Sequence, residues 1–318
     1  MKYKSMIIYS DKNIVKEVTN MQKVSKDHVV YSMSAENEPV LFVEPGAEIT
    51  FETWDALHGQ IKSADGGLDG LDWSRVNPAT GPVYVNGAQE GDVLSVRIDK
   101  IDVADTGFVI CGEGSGVMGH ALKGTTVKMV PIESDEAVFS DDIHLPLNKM
   151  IGVIGVAPKG ITIPCSTPDL HGGNMDCKEV CEGATLLLPV NVPGALLAMG
   201  DLHAVMADGE IGVSGLEVSG EITVTVDLIK HKELPLPMII NNDYVMTIAS
   251  DEDLDAAVDM AVEHMISYLS AEHSFSMEDA VMMTSLIADV RICQVVDPKK
   301  TIRVEFPKKY LTPVSLIL

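Results

Sequence analysis

The stretch EITVTVDLI, residues 221–229, decides the class of fold. Ile222, Val224 and Val226 alternate with polar neighbours at period two, as in a strand with one face buried. Working outward, short runs of the same character recur: PVLFVEP (39–45), EITFETWD (48–55), VYVNG (83–87), DVLSVRIDKIDV (92–103), TTVKMVPI (125–132), MIGVIGV (150–156) and TLLLPVNV (185–192). Gly, Pro, Asn or Asp bounds each of them, and these residues turn a chain. NGAQEGD (86–92) is expected to be a hairpin connection. Residues 65–79 are expected to form a long polar loop. No amphipathic helix is expected before residue 245.

The pattern then changes. YVMTIAS (244–250) reads as a strand. Ser250 precedes DEDLDAAVDMAVEHMISYL as a candidate cap, with Asp253 in capping-box position. Leu254, Ala257, Val258, Ala261, Met265 and Leu269 fall on one helical stripe. Ser276 is expected to cap a second helix over residues 277–289. ICQVV and TIRVEF return to strand. The expected architecture is therefore a mainly β catalytic domain, sandwich- or barrel-like, over residues 1–240. A small C-terminal α+β unit, 241–318, packs on it and serves packing or dimerisation.

Bulk properties narrow the function. The 318 residues are 46% hydrophobic, which suits a substantial core. Lys and Arg number 23 against 47 Asp and Glu, a net charge of −24. That balance offers no basic footprint for nucleic acid and disfavours anionic lipid. No apolar run approaches a membrane span, and the apolar part of the N-terminus, Met6 to Tyr9, is too short for a signal peptide. Five cysteines without framework spacing point to a reducing cytoplasm. Cys177 and Cys181 have no second pair to complete a zinc site and read as small packing residues.

Two segments concentrate chemistry. TPDLHGGNMDCKE (167–179) supplies Asp169, His171, Asn174 and Asp176, and Gly172 and Gly173 allow close backbone approach to a ligand. MGDLHAVMADGEIGVSGLE (199–217) supplies Asp201 and His203, two apart and so on one face of an extended chain. Glu210 and Glu217 lie beyond a glycine-containing turn and return toward them. Imidazole and carboxylate together hold a divalent ion. FETWDALHGQI (51–61) adds Asp55 as a further carboxylate and Gln60 as an amide binder. CGEGSGVMGH (111–120) surrounds Glu113 with glycines and presents it as a general base. Neither a nucleophile elbow nor a phosphate-binding loop is present. Ser115, Cys165 and Cys177 remain alternative nucleophiles.

PGAEITFETWDALHGQI, NPATGPVYVNGAQEGDVLSVRI, LHGGNMD and VPGALLAMGDLHAVMADGEIGVSGLE resemble blocks of the acetamidase/formamidase family, in order, across residues 40–310. The resemblance implies a mostly β, metal-dependent enzyme that cleaves small linear amides, formamide or acetamide, to ammonia and a carboxylate. It implies a homodimer or larger homo-oligomer. Its motif positions are Asp55, Gln60, Asn174, Asp176, Asp201, His203, Glu210 and Glu217. Chemistry alone adds Glu113 as first choice of base, with Glu210 second, and Gly172 and Gly173 as oxyanion donors. The ligand set expected for zinc, with calcium as the second choice, is Asp176, Asp201, His203 and Glu217, extended by Asp55 and His171. Two other readings stay open: opening of a cyclic amide of γ-lactam type, and a non-catalytic β protein that binds metal or carbohydrate.

Overall fold

A computed structural model describes residues 22–68, 70–232 and 234–311. The N-terminal segment, including Met6 to Tyr9, lies outside the described residues. Among those residues, two large sheets carry the fold, one of nine strands and one of eleven, with a two-stranded sheet beside them. The architecture is mainly β, as expected, with two α-helices near the C-terminus.

The strand Gly220–Ile229 lies inside the nine-stranded sheet, antiparallel to Glu48–Thr53 on one side and Val93–Val103 on the other. Ile222, Val224 and Val226 are fully buried, and Val224 and Val226 face Ile98 and Val96 in register. Burying one such side chain contributes about 1.5–3 kcal/mol before chain entropy is set against it. The principal core joins Phe51 and Val224 of this sheet with Ile151, Ile154, Met199 and Leu202 of the other. The two sheets therefore pack face to face, with apolar residues on both inner faces.

The connection at residues 86–92 is not a hairpin. Ala79–Val85 belongs to the eleven-stranded sheet and Val93–Val103 to the nine-stranded one, so this segment crosses between sheets. Turn residues specify a change of direction, and they do not say which sheet receives the next strand. The expected loop at 65–79 contains short 3-10 turns at Ala64–Gly66 and Trp73–Arg75.

Helix α1, Leu254–His273, buries Ala257, Ala261, Met265 and Leu269, four positions of the expected stripe. Its N-cap is Asp253, whose carboxylate accepts the Ala256 N–H, so the cap lies three residues after the expected one. Ser250 instead lies within the strand Tyr244–Asp251 and bonds Thr301. Helix α2, Met277–Ile287, is capped by Ser276 as expected and stops two residues early, where Asp289–Gln294 begins as a strand. The sheet runs on across residue 240, because Met238–Ile240 pairs with both Thr185–Pro189 and Tyr244–Asp251.

Candidate active site

Leu197–His203 is buried along its whole length inside the eleven-stranded sheet. Its ladder with Met150–Gly155 pairs Ile151 with Leu202 and Val153 with Gly200, and skips Gly152 and Asp201. Asp201 there takes a left-handed backbone, φ 56°. Asp201 and His203, two apart on this strand, both line the same cavity. Gly152 lies beneath them: a Cβ on it would come within 2.5 Å of Asp176 Oδ1 and 2.8 Å of Asp201 Oδ2. Asn77, Asp176 and Glu210 are left-handed too, with φ of 48°, 41° and 42°. Non-glycine residues enter this region at a cost of about 1–3 kcal/mol each and gather at functional sites.

His203 faces Glu217 on the adjacent strand, with Nε2 3.0 Å from Glu217 Oε1. The same nitrogen is 3.7 Å from Asp201 Oδ1, and Nδ1 is 3.8 Å from Asp176 Oδ1. Ligand atoms of Asp201, His203 and Glu217 lie within 4.8 Å of one another, and so do those of Asp176, His203 and Glu210. All five residues are buried.

The donor set fits a divalent cation on a direct test. Oxygens of Asp176, Asp201, Glu210 and Glu217 are buried without any hydrogen-bond partner, as is Asn174 Oδ1. Buried carboxylates are normally paired or bound to metal, and the single His203 does not satisfy four of them. Two groups join the cluster that sequence reading missed. Asn77 Nδ2 donates to Asp201 Oδ2 at 3.1 Å. Asp297, in the bend before Lys300–Pro307, is half-buried, lines the cavity with an unpartnered Oδ2, and bears on Asp176 and Asn174. Neither had a periodic or motif signal, because each arrives on an irregular segment.

Crowding sets the electrostatics. Burial, with a smaller contribution from like charges, pushes the Glu210 carboxyl up to about 8 and that of Glu217 up to about 7. Burial raises Asp176 well above the usual range, with Glu210 adding to it, and raises Asp297 similarly, with Asp176 adding. Burial alone would lower His203, but Glu217 and Asp201 outweigh it and hold the imidazole well above its ordinary value.

These groups form the floor of a cavity of about 220 Å³. Leu57, Leu68, Val76, Phe108, Ile110 and Val213 form an apolar wall, and Asn174 and Ser115 also line it. The remaining sequence expectations lie elsewhere. Glu113 is exposed, and its carboxylate accepts the Gly124 N–H. Gln60 is tied to the backbone of Asp72. Asp55 accepts the N–H groups of Leu57 and Gly59 and joins neither ligand group. His171 is buried beside Gly155 and Gly173, is pushed down to about 4 by burial, and joins neither group. Gly172 gives its N–H to Asp169 O, and a Cβ on it or on Gly173 would collide with backbone oxygen. These glycines permit close strand packing, and neither lines the cavity. Cys165 is buried, bonded to Val30 O and pushed up to about 12 by burial, and it does not line the cavity. Cys177 is buried beside Cys293. Ser115 makes no hydrogen bond to a base among the described residues.

The chain matches the model of the Acetamidase/Formamidase family over residues 20–164 and 160–311. It belongs to the acetamidase/formamidase family. Within that family it is 29% identical to an acetamidase of Mycolicibacterium smegmatis over 257 residues, 59% of this chain and 63% of that one. The chain spans about three fifths of the length of the first curated relatives it matches. Solved structures of the family agree more fully. An acetamidase from Bacillus halodurans is 42% identical with a TM-score of 0.89, covering 91% of this chain and 98% of its own. A predicted acetamidase/formamidase from Thermoanaerobacter tengcongensis is 46% identical with a TM-score of 0.89, covering 91% and 96%. The two-sheet architecture is thus that of the family.

Proposed function

We propose that this protein hydrolyses a small neutral amide to ammonia and a carboxylate, with a divalent ion held by Asp176, Asp201, His203 and Glu217. One observation carries the reading: in a chain of this family, His203 and buried carboxylates with unpartnered oxygens converge at the floor of a cavity. Zinc is the preferred ion, because an imidazole joins the oxygens, and calcium is the second choice. When bound, such an ion polarises a carbonyl and lowers the pKa of water toward neutrality.

The chain's own residues account for the rest. Glu210 has an unpartnered Oε2 and faces the cavity, so it replaces the exposed Glu113 as the proton carrier from attacking water to leaving nitrogen. Asn174 Oδ1 is an unpartnered acceptor suited to an N–H of a primary amide. Asn77 orients Asp201. The wall of Leu57, Val76, Phe108 and Ile110 receives the acyl part and excludes water. We place the reaction in the cytoplasm on the basis of the free cysteines, and we assign a homo-oligomeric assembly.

The test is ammonia release from formamide and acetamide before and after chelation, with metal analysis on the same sample. Activity that falls on chelation and returns with zinc is expected. Bound metal without ammonia from either amide would move the substrate to a cyclic amide. Activity untouched by complete metal removal would overturn the mechanism.

A further inference from the structure

The strand Lys300–Pro307 buries both of its faces, and one of them is polar. Ile302, Val304 and Phe306 pack with α1 and α2. Thr301, Arg303 and Glu305 alternate with them, point the other way and are buried as well, Arg303 to 1% exposure. A polar strand face is ordinarily left to water. Here residues 178, 179 and 208 meet it, and they belong to the two segments that carry Asp176 and Glu210.

Arg303 is the hub of that contact. Its Nη1 and Nη2 donate to Asp208 Oδ1 and Oδ2 at 2.6 and 2.8 Å, a two-pronged pair that a lysine cannot make. Its Nε donates to Glu305 Oε1 at 2.7 Å, and Nη2 lies 3.8 Å from Glu179 Oε1. Lys178 Nζ also reaches Asp208 Oδ2, at 3.2 Å. None of these groups lines the catalytic cavity. Buried ion pairs add little to stability, because desolvation cancels most of their attraction. What such a network supplies is a fixed geometry.

The geometry it fixes is the turn that carries Glu210. The chain leaves the sheet after Leu197–His203 and rejoins it at Glu217–Val218. Between them Gly209 and Glu210 are both left-handed, with φ of 101° and 42°. Glu210 holds that strained backbone only if its surroundings impose it. Three contacts do so, all from the C-terminal strands and the bend between them. Gly209 donates its N–H to Cys293 O at 2.8 Å, and Gly209 O accepts the Val295 N–H at 3.2 Å. Arg303 grips Asp208, and its Nη1 also donates to Cys293 Sγ at 3.6 Å. With residues 208 and 209 held, Glu210 lines the cavity, and its carboxylate lies within 4.8 Å of ligand atoms of Asp176 and His203.

We propose that Arg303, acting through Asp208, is the positioning residue that aims the Glu210 carboxyl into the cavity. The C-terminal strand Lys300–Pro307 thereby sets the geometry of the reaction without touching substrate. The proposal rests on the reading of Glu210 as the proton carrier.

Turnover, metal content and structure of two variants test it. Asp208→Asn is expected to fold, because Asp208 is half-buried and Arg303 keeps Glu305. It should lower kcat for ammonia release by about 10–100-fold with KM and metal content unchanged, the scale on which a misplaced catalytic group costs rate. In a Glu210→Gln background the same change should add nothing, which a general loss of stability would not reproduce. Arg303→Lys keeps the charge, gives up the fork, and should match Asp208→Asn. Crystal structures of the native and Asp208→Asn proteins read the aim without turnover: the Glu210 carboxyl should leave the cavity while Asp201, His203 and Glu217 hold their places. A native protein that releases no ammonia would count against the amidase reading alone, and the two structures would still decide the positioning. An unmoved Glu210, an unchanged kcat, or an equal loss in the Glu210→Gln background would each overturn the proposal. So would loss of the fold in both variants, because the network would then serve folding and not the aim of Glu210.

Discussion

His203 and Glu217 stand directly opposite each other on neighbouring antiparallel strands, with imidazole Nε2 3.0 Å from carboxylate Oε1. A cross-strand pair is set by sheet register, so the two ligand types are fixed by the backbone and not by a mobile loop. His203 also lies within reach of Asp201 and Asp176, which makes it the one residue shared by both ligand groups.

Replacing that shared residue should abolish both groups together. His203→Ala is expected to lose bound metal and to reduce amide turnover by more than about 100-fold. Elemental analysis and ammonia release on one preparation check this. Full metal content with full activity would remove His203 from the ligand set.

Glu210 and Glu113 are separated by a paired comparison. Glu210→Gln should keep metal and fold while turnover falls by about 10²–10⁴-fold, the range for loss of a general base. Glu113→Gln should leave turnover unchanged, because its carboxylate is exposed and bonds the Gly124 N–H. The opposite result would return the proton to Glu113.

Gly215 makes room for the His203 ring. A Cβ there would lie 2.6 Å from both Cγ and Nδ1 of His203. Gly215→Ala should lower stability by about 1–3 kcal/mol and displace the ring, so metal affinity falls with the melting temperature. A variant with native melting temperature and native metal affinity would show that the segment around Gly215 shifts to accommodate the methyl group.

The metal-free protein should lose stability as pH rises from about 4.5 toward about 8. Glu210 and Glu217 are raised from 4.5 to about 8 and about 7, so over that window the folded state holds protons that the unfolded state releases. His203, also raised, acts in the same direction and loses its contribution as pH passes its folded value. Saturating zinc should flatten or reverse the slope, because the ion takes the deprotonated ligands. Melting temperatures across the range, with and without zinc, check this; a metal-free protein that gains stability with pH would contradict the buried-acid account.

Much of the architecture was legible in sequence because it is local. Period-two alternation in 221–229 follows from the pleat, and the α1 stripe from 3.6 residues per turn, and both appear where expected. Asp201 and His203 were legible as partners for a related reason: they lie two apart on one strand. The start of α1 differs from the expected one because Ser250 and Asp253 are both good caps, and the sheet holds Ser250 as strand.

The sequence by itself therefore determined the strands, the two helices, the family and the donor types of the site. Tertiary structure alone decided which donors meet. It brought Asn77 and Asp297 to the cavity on irregular segments, left Asp55 and His171 out of the ligand groups, and left the expected base Glu113 and the expected amide binder Gln60 out of the cavity lining. It also sent residues 86–92 between sheets instead of around a hairpin. The physical reason is one of range. Periodicity and capping are set by neighbours along the chain, whereas convergence depends on the register between strands and on the packing of the two sheets, which no short window of sequence encodes.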